Sequence, residues 1–201
     1  MIWWCKARAV PAVALALAGT FALGLLLGDG ELPVPALRGR AGHFLVAHVV
    51  TLLPAVVLLH GLGRGDLRTE AVAGRFLRGL DVALALTVAA AGTAAGVLAH
   101  AAGEGGLPVV LARDITGYLG LALLLHPLVG HRPAAAALAV VPLLCSATGW
   151  CPDGRPEPWA WPLHPAGSAY ALAGVALTVL AGSACALLRR RPAAGLRMSA
   201  A

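Results

Sequence analysis

Six apolar stretches, each near the length a helix needs to cross a bilayer, constrain this chain more than any other feature. Crossing about 30 Å of hydrocarbon takes roughly 20 helical residues. The runs fall at residues 9–27, 44–62, 82–102, 107–129, 134–150 and 166–188. Within lipid an unmade backbone hydrogen bond is so costly that a span must be a helix or part of a closed barrel. None of the runs alternates apolar and polar residues as a barrel strand does. The expected fold class is therefore all-α: a polytopic membrane protein, a bundle of six transmembrane helices making one transmembrane domain over residues 1–201. Composition agrees, since 59% apolar against 12% charged residues is more than a water-soluble domain carries.

Lys6 and Arg8 precede the first run, as in a secretory leader. The run is longer than a leader's apolar region of roughly 7–15 residues, and no small-x-small site precedes Asp29, so it reads as an uncleaved span. Orientation follows from the basic residues, which gather in cytoplasmic loops. With the N-terminus inside, Lys6, Arg8, Arg64, Arg68, Arg75, Arg78, Arg132, Arg189, Arg190, Arg191 and Arg197 lie on the cytoplasmic side, against Arg38, Arg40 and Arg155 outside. The expectation is a multi-pass protein of a bacterial cell membrane with both termini cytoplasmic. Its net charge of +6 then reflects topology and attraction to anionic lipid rather than nucleic-acid binding.

Helices in lipid associate through close approach at small residues. Gly92 and Gly96 in the third run, and Gly174, Thr178 and Gly182 in the sixth, supply such surfaces, for packing within the bundle or between two copies. Cys145 and Cys151 lie too far apart for a disulfide on a continuous helix, and Gly149 is the residue that would bend the chain back.

Three segments stand out for function. The connection GRGDLRTEAVAGRFLRGLD, residues 63–81, is basic and amphipathic, with Asp66 placed to cap it. It reads either as a helix lying on the inner leaflet or as a docking surface for a cytoplasmic partner, with Arg68, Arg75, Phe76 and Arg78 as the contact candidates. In the fourth run, Arg113 and Asp114 lie about 9 Å from its start. Charges at that depth face the bundle interior or water. Arg113 is long enough to snorkel outward, whereas Asp114 needs a partner: Arg113, Tyr118 one turn on, a threonine of another span, or water. An adjacent Arg–Asp pair on one helix is strained, which favours an interhelical partner. The group reads as a packing clamp or as part of a gate or substrate path. The last outer loop, CPDGRPEPWAWPLHP, holds five prolines and is expected to be stiff and extended. Trp159 and Trp161 would then face one side and, with Trp150, either anchor the chain at the head groups or cover an outer vestibule.

Other chemistry finds little to work with. Two bis-histidine pairs can be drawn, His60 with His126 and His48 with His100, as a haem-binding membrane protein would need. Yet CxxCH, HExxH and zinc-spaced Cys/His clusters are all missing, so no cofactor and no metal is expected. No serine sits in a GxSxG setting, and the chain is not read as an enzyme. Lys6 is the only lysine, which excludes a GK[ST] phosphate loop and hence ATP hydrolysis by that route.

Six spans, both termini inside, a basic amphipathic connection after the second span and a structured loop before the sixth resemble the permease subunits of ATP-binding-cassette exporters of the second type. The likeness is one of topology over the whole chain. It implies that residues 69–81, with Arg68 beside them, contact a separate cytoplasmic ATPase, and that two permease chains join two ATPase chains. Independently of it, a chain without Asn or Gln and with few hydroxyls in its spans has little with which to line a wide polar channel, so an apolar or amphipathic cargo fits better. The alternatives are a structural or accessory membrane protein, and a bis-histidine haem protein.

Overall fold

The computed structural model describes residues 2–28, 30–32, 44–64 and 67–188, with side chains over 4–28, at 30, and over 46–64 and 77–188. Asp66 therefore lies outside the described residues. Among the described residues eight α-helices follow one another: α1 (Ile2–Ala7), α2 (Val10–Leu27), α3 (Val46–Val50), α4 (Leu53–Gly63), α5 (Leu67–Ala101), α6 (Leu107–Val129), α7 (His131–Thr148) and α8 (Ala169–Leu188). Glu31–Leu32 pairs antiparallel with Phe44–Leu45 in a two-residue ladder between α2 and α3.

Among the described residues five segments are long and apolar enough to cross a membrane, with α3 and α4 counted together as one. The sixth expected span is α7. It has 18 residues but opens on His131 and Arg132 and holds Pro142, which leaves it the least apolar of the set. It still runs the length of the bundle, since Gly63 at the end of α4 meets the His131 ring and Cys145 packs with Ala160 and Leu163 of the last loop. The bundle thus has two distinct ends. A charged end carries Lys6, Arg8, Arg64, Arg78 and Arg132, and a loop end carries residues 149–168.

Two connections differ from the sequence expectation. Residues 44–62 do not form one helix, because the chain breaks at Thr51 and Leu52. Pro54 is the cause: it has no N–H for the Val50 carbonyl four residues back. The Thr20 hydroxyl of α2 donates to that carbonyl instead, at 3.4 Å, and the Thr51 hydroxyl donates to the His48 carbonyl at 2.8 Å. A broken helix persists at this depth because side chains satisfy the released groups. The second difference is α5, a continuous helix of 35 residues rather than a separate helix followed by a span. At 1.5 Å per residue it is about 52 Å long, some 20 Å more than the hydrocarbon thickness. The part before the span is therefore a stem collinear with it, which a helix lying flat on the leaflet is not.

Helix α6 is the hub. Ile115, Tyr118 and Leu119 on it are fully buried in one cluster with Leu58, Leu59 and Leu138, and Leu111 is fully buried on the side of Gly24 of α2. The glycine pattern works inside the chain: a Cβ on Gly96 of α5 would meet Ala112 Cβ at 2.6 Å, and one on Gly120 of α6 would meet the Val179 backbone nitrogen of α8 at 2.7 Å. Such backbone-to-backbone approach is how helices gain dispersion contact in lipid. By contrast α2 and α8 are only 17% buried and turn Leu15, Leu26, Leu177 and Leu180 outward.

At the charged end, α1 is joined to α2 through Ala9, whose φ of 52° is a left-handed conformation that costs an alanine about 1 kcal/mol. The neighbouring Arg8 holds this turn in place. It forms a bidentate pair with Asp81 of α5, Nε to Oδ1 at 2.8 Å and Nη2 to Oδ2 at 2.9 Å, and Nη1 donates to the Leu62 carbonyl of α4 at 3.1 Å.

Candidate functional site

The loop end holds three buried ionisable side chains in contact. Asp114 is fully buried, and Arg113 and His48 are each 4% exposed. Arg113 and Asp114 come from the second turn of α6, and His48 comes from α3, the short half of the broken span. The break at Thr51 and Leu52 places this half-helix, and the Thr51 hydroxyl on the His48 carbonyl ties off its last turn.

Asp114 takes both partners at once. Its Oδ1 accepts from Arg113 Nε and Nη2, each at 3.1 Å, while His48 Nδ1 lies 2.7 Å from its Oδ2. A carboxylate in its ionised form only accepts, and in that form the bond is donated by His48 Nδ1. The adjacent pair, expected to be strained, forms because the guanidinium reaches back over its own helix. An interhelical partner exists as well, and it is His48, which was not among the partners expected from sequence.

Arg113 also carries the last loop. Nη1 donates to the carbonyls of His164 and Pro165, both at 2.9 Å, and Nη2 donates to that of Pro162 at 3.2 Å. All five guanidinium N–H groups thus have acceptors, as a buried arginine requires. Prolines suit this role: each offers a carbonyl and brings no N–H of its own to be satisfied. The loop is consequently neither extended nor outside the bundle. It turns back at Trp150, which bridges to Pro156, and forms a 3₁₀ turn over Trp161–Leu163.

This fold-back separates the two tryptophans that an extended chain would have put on one side. Trp159 is 51% exposed, whereas Trp161 is 7% exposed and wedged between α6 and α8. Its ring meets Tyr118 edge-on, centroids 5.0 Å apart at 61°, and its six-membered edge covers Gly117, where a Cβ would come within 2.6 Å. Trp150 packs on the Cys145, Ala160 and Leu163 cluster. The hydroxyl of Tyr118, one turn beyond Asp114, is buried and has no hydrogen-bond partner among the described residues. Beside the loop, an open cleft of about 640 Å³ is lined by Arg155, His164, Ser168 and Tyr170 among others. His164 is fixed there by Ser168 Oγ at Nδ1 and the Glu157 carbonyl at Nε2, both 3.0 Å away.

The structure therefore brings Arg113, Asp114, Tyr118 and Trp161 together, and leaves Trp159 apart. The docking candidates lie at the opposite end, on the stem of α5. The side chains of Arg68, Arg75 and Phe76 are outside the described set, and Arg78 reaches across to the Leu187 carbonyl of α8 at 3.4 Å. Of the histidines once paired for haem, His48 is engaged with Asp114, His100 contacts the Gly105 carbonyl, and His60 is exposed on α4. No group of three or more metal-ligating side chains occurs among the described residues, and all four cysteines are thiols. In the loop, the Cys151 thiol donates a hydrogen bond to the Glu157 carboxylate, which would also repel the thiolate, and both effects hold that thiol above the usual range.

Sequence reasoning missed two members of the ionic groups. His48 was seen as a haem candidate, although a histidine inside a span ahead of an interrupting proline is a signal for a buried polar contact. Arg8 was counted only toward orientation, yet it is buried and paired. Comparison with protein-family models, with curated proteins and with solved structures returns no match to this chain.

Proposed function

We propose that this chain is the membrane-embedded subunit of an export assembly driven by a separate cytoplasmic ATPase, with an apolar or amphipathic cargo. The observation that carries the reading is the length of α5, whose first turns extend past the span at the end where basic residues collect. A collinear basic stem gives a soluble partner a lever joined directly to a helix packed on the hub α6. The chain has no phosphate loop of its own, so work on a cargo needs such a partner. Positive residues favour the cytoplasmic side, and we therefore place the charged end in the cytoplasm of a bacterial cell. Outward apolar faces on α2 and α8 suit lipid and a second copy equally.

A second reading, a structural subunit that moves nothing, is favoured by one specific feature. Arg113 spends all its donors on Asp114 and the loop, as a clamp does. Purification in mild detergent separates the two. Recovery of a stoichiometric ATPase that is lost on combining Arg75→Glu with Arg78→Glu supports the export subunit. A homogeneous preparation without an ATPase supports the structural one.

A further inference from the structure

We propose that Ser168 and His164 form a nucleophile–base pair in the cleft beside the last loop, built to cleave the carboxylic ester of an amphiphile at the membrane boundary. The proposal stands on donors, acceptors and place, and is independent of the export reading. Ser168 Oγ lies 3.0 Å from His164 Nδ1, and His164 Nε2 lies 3.0 Å from the Glu157 carbonyl oxygen. A carbonyl only accepts, so Nε2 holds the single N–H of the neutral ring. Nδ1 is then left with its lone pair and accepts the Ser168 hydroxyl proton. An imidazole acts as general base in this arrangement, within reach of a nucleophile and turned toward it by a third group.

The bundle holds the pair in a fixed frame. Arg113 Nη1 donates to the carbonyls of His164 and Pro165, so the buried cluster on α6 sets the backbone that carries the base. His164 is 8% exposed, which limits competition from bulk water for its nitrogens. Ser168 is half-buried, and both residues line the open cleft of about 640 Å³. Ser168 directly precedes α8, a helix of 20 residues. The N–H groups of Ala169 and Tyr170 open that helix and have no acceptor within it. They begin beside the nucleophile, where the oxyanion of an acyl transfer develops and such donors stabilise it.

The surroundings select the substrate. Pro156, Pro158 and Tyr170 give the cleft apolar walls, and Arg155 adds one cation. Just past Ser168, α8 turns Tyr170 and Leu172 outward, 69% and 52% exposed, on a face suited to lipid. A hydroxyl at the start of a span lies at head-group depth, where an amphiphile carries an ester between its acyl chain and its polar part. In the reaction Ser168 Oγ adds to the ester carbonyl carbon while its proton passes to His164 Nδ1. The bond from that carbon to the alcohol oxygen breaks, and the leaving oxygen takes the proton back from Nδ1. Water then adds to the acyl-serine through the same proton relay, which releases the carboxylic acid and restores Ser168. One ester and one water thus give one acid and one alcohol.

The test exposes full-length protein in lipid nanodiscs to a fluorophosphonate with an alkyl tail, whose phosphorus takes the serine oxygen as fluoride leaves, and locates the adduct by peptide mass spectrometry. Ser168 Oγ also accepts the Ala171 N–H at 3.5 Å, a helix cap, so the control is Ser168→Asn, which keeps a capping side chain without a nucleophile. The expected result is an adduct on Ser168 in the parent and none in Ser168→Asn. His164→Gln, which cannot take up the proton, slows the modification by about a hundredfold. The parent also hydrolyses p-nitrophenyl octanoate with a kcat/KM about tenfold above that for the acetate, as burial of the longer chain requires. The proposal is overturned if Ser168 of the parent stays unmodified, if His164→Gln is modified as fast as the parent, or if neither ester is cleaved. Equal turnover of the two esters overturns the assignment of an apolar acyl chain. Should either variant fail to fold, the parent adduct map still decides, since a bare Ser168 contradicts the pair.

Discussion

An arginine and an aspartate meet at each end of this bundle, and the two pairs do different work. At the charged end Arg8 and Asp81 are 73 residues apart, joined in a fork-to-fork geometry, with one spare N–H on a helix-terminal carbonyl. That pair ties the turn after α1 to α4 and α5. At the loop end the partners are neighbours in sequence, and the carboxylate is shared with His48 while the guanidinium is shared with three loop carbonyls. The first pair fixes helices to one another. The second joins a half-helix, the hub helix and the last loop through one shared cluster.

The sharpest way to break the contrast is to remove each acid. Asp114→Leu strands a buried guanidinium, and uncompensated buried charge costs about 3–5 kcal/mol. We expect it to lose most of its folded yield on size-exclusion chromatography in detergent, whereas Asp114→Asn keeps a hydrogen-bonding group and retains most of it. Equal yields from the two would mean that the carboxylate is not carrying Arg113. At the other end Asp81 is only half-buried, so solvent offsets part of the loss. Asp81→Leu should cost about 2 kcal/mol, and combining it with Arg8→Met should recover much of that loss, since a paired apolar replacement leaves no charge unmatched. A melting series of the two single variants and the double variant reads the coupling directly. Additive losses would show that the fork does not act as a unit.

A smaller effect concerns what holds His48 in register. Thr20→Val removes the donor to the Val50 carbonyl at the broken helix, and single hydrogen bonds between membrane helices are worth about 0.6 kcal/mol. A melting-point drop of one or two degrees is expected, and a rise would mean that the break needs no support from α2. The least effect is at Cys151. Glu157→Gln removes the carboxylate that holds this thiol up, so its thiolate fraction at pH 8 rises and maleimide labelling should speed up a few-fold. An unchanged rate would show that Glu157 does not face the thiol.

What the sequence made legible, and what it hid, divides along the same line. Runs of about 20 apolar residues declare helices in lipid because few other structures satisfy the backbone there, and the spans from α2, α6 and α8 fall within three residues of where hydrophobicity puts them. Arg113 and Asp114 were visible as a costly pair because depth can be counted along one helix. Their partner His48 was not, since it lies 66 residues away and sequence alone gives no rotation of one helix against another. Pro54 carried the signal for the break in the second span, but hydropathy averages over it. The five prolines of the last loop suggested extension. The Arg113 guanidinium instead collects the carbonyls of Pro162, His164 and Pro165 and folds the loop inward, a tertiary effect that outweighs local stiffness. The continuity of α5 went unread because an amphipathic stretch and an apolar one look like separate elements when judged by composition.

The charged end and the loop end must face opposite sides of the membrane for all of this to hold. The direct measurement is sided labelling in intact bacterial cells, using variants in which Cys5, Cys145 and Cys185 are replaced by Ala. One variant keeps Cys151, and the other carries Cys151→Ala and Arg64→Cys. The account predicts that a membrane-impermeant maleimide modifies Cys151 from outside and reaches position 64 only after the cells are permeabilised. Modification of both positions from the same side would contradict it.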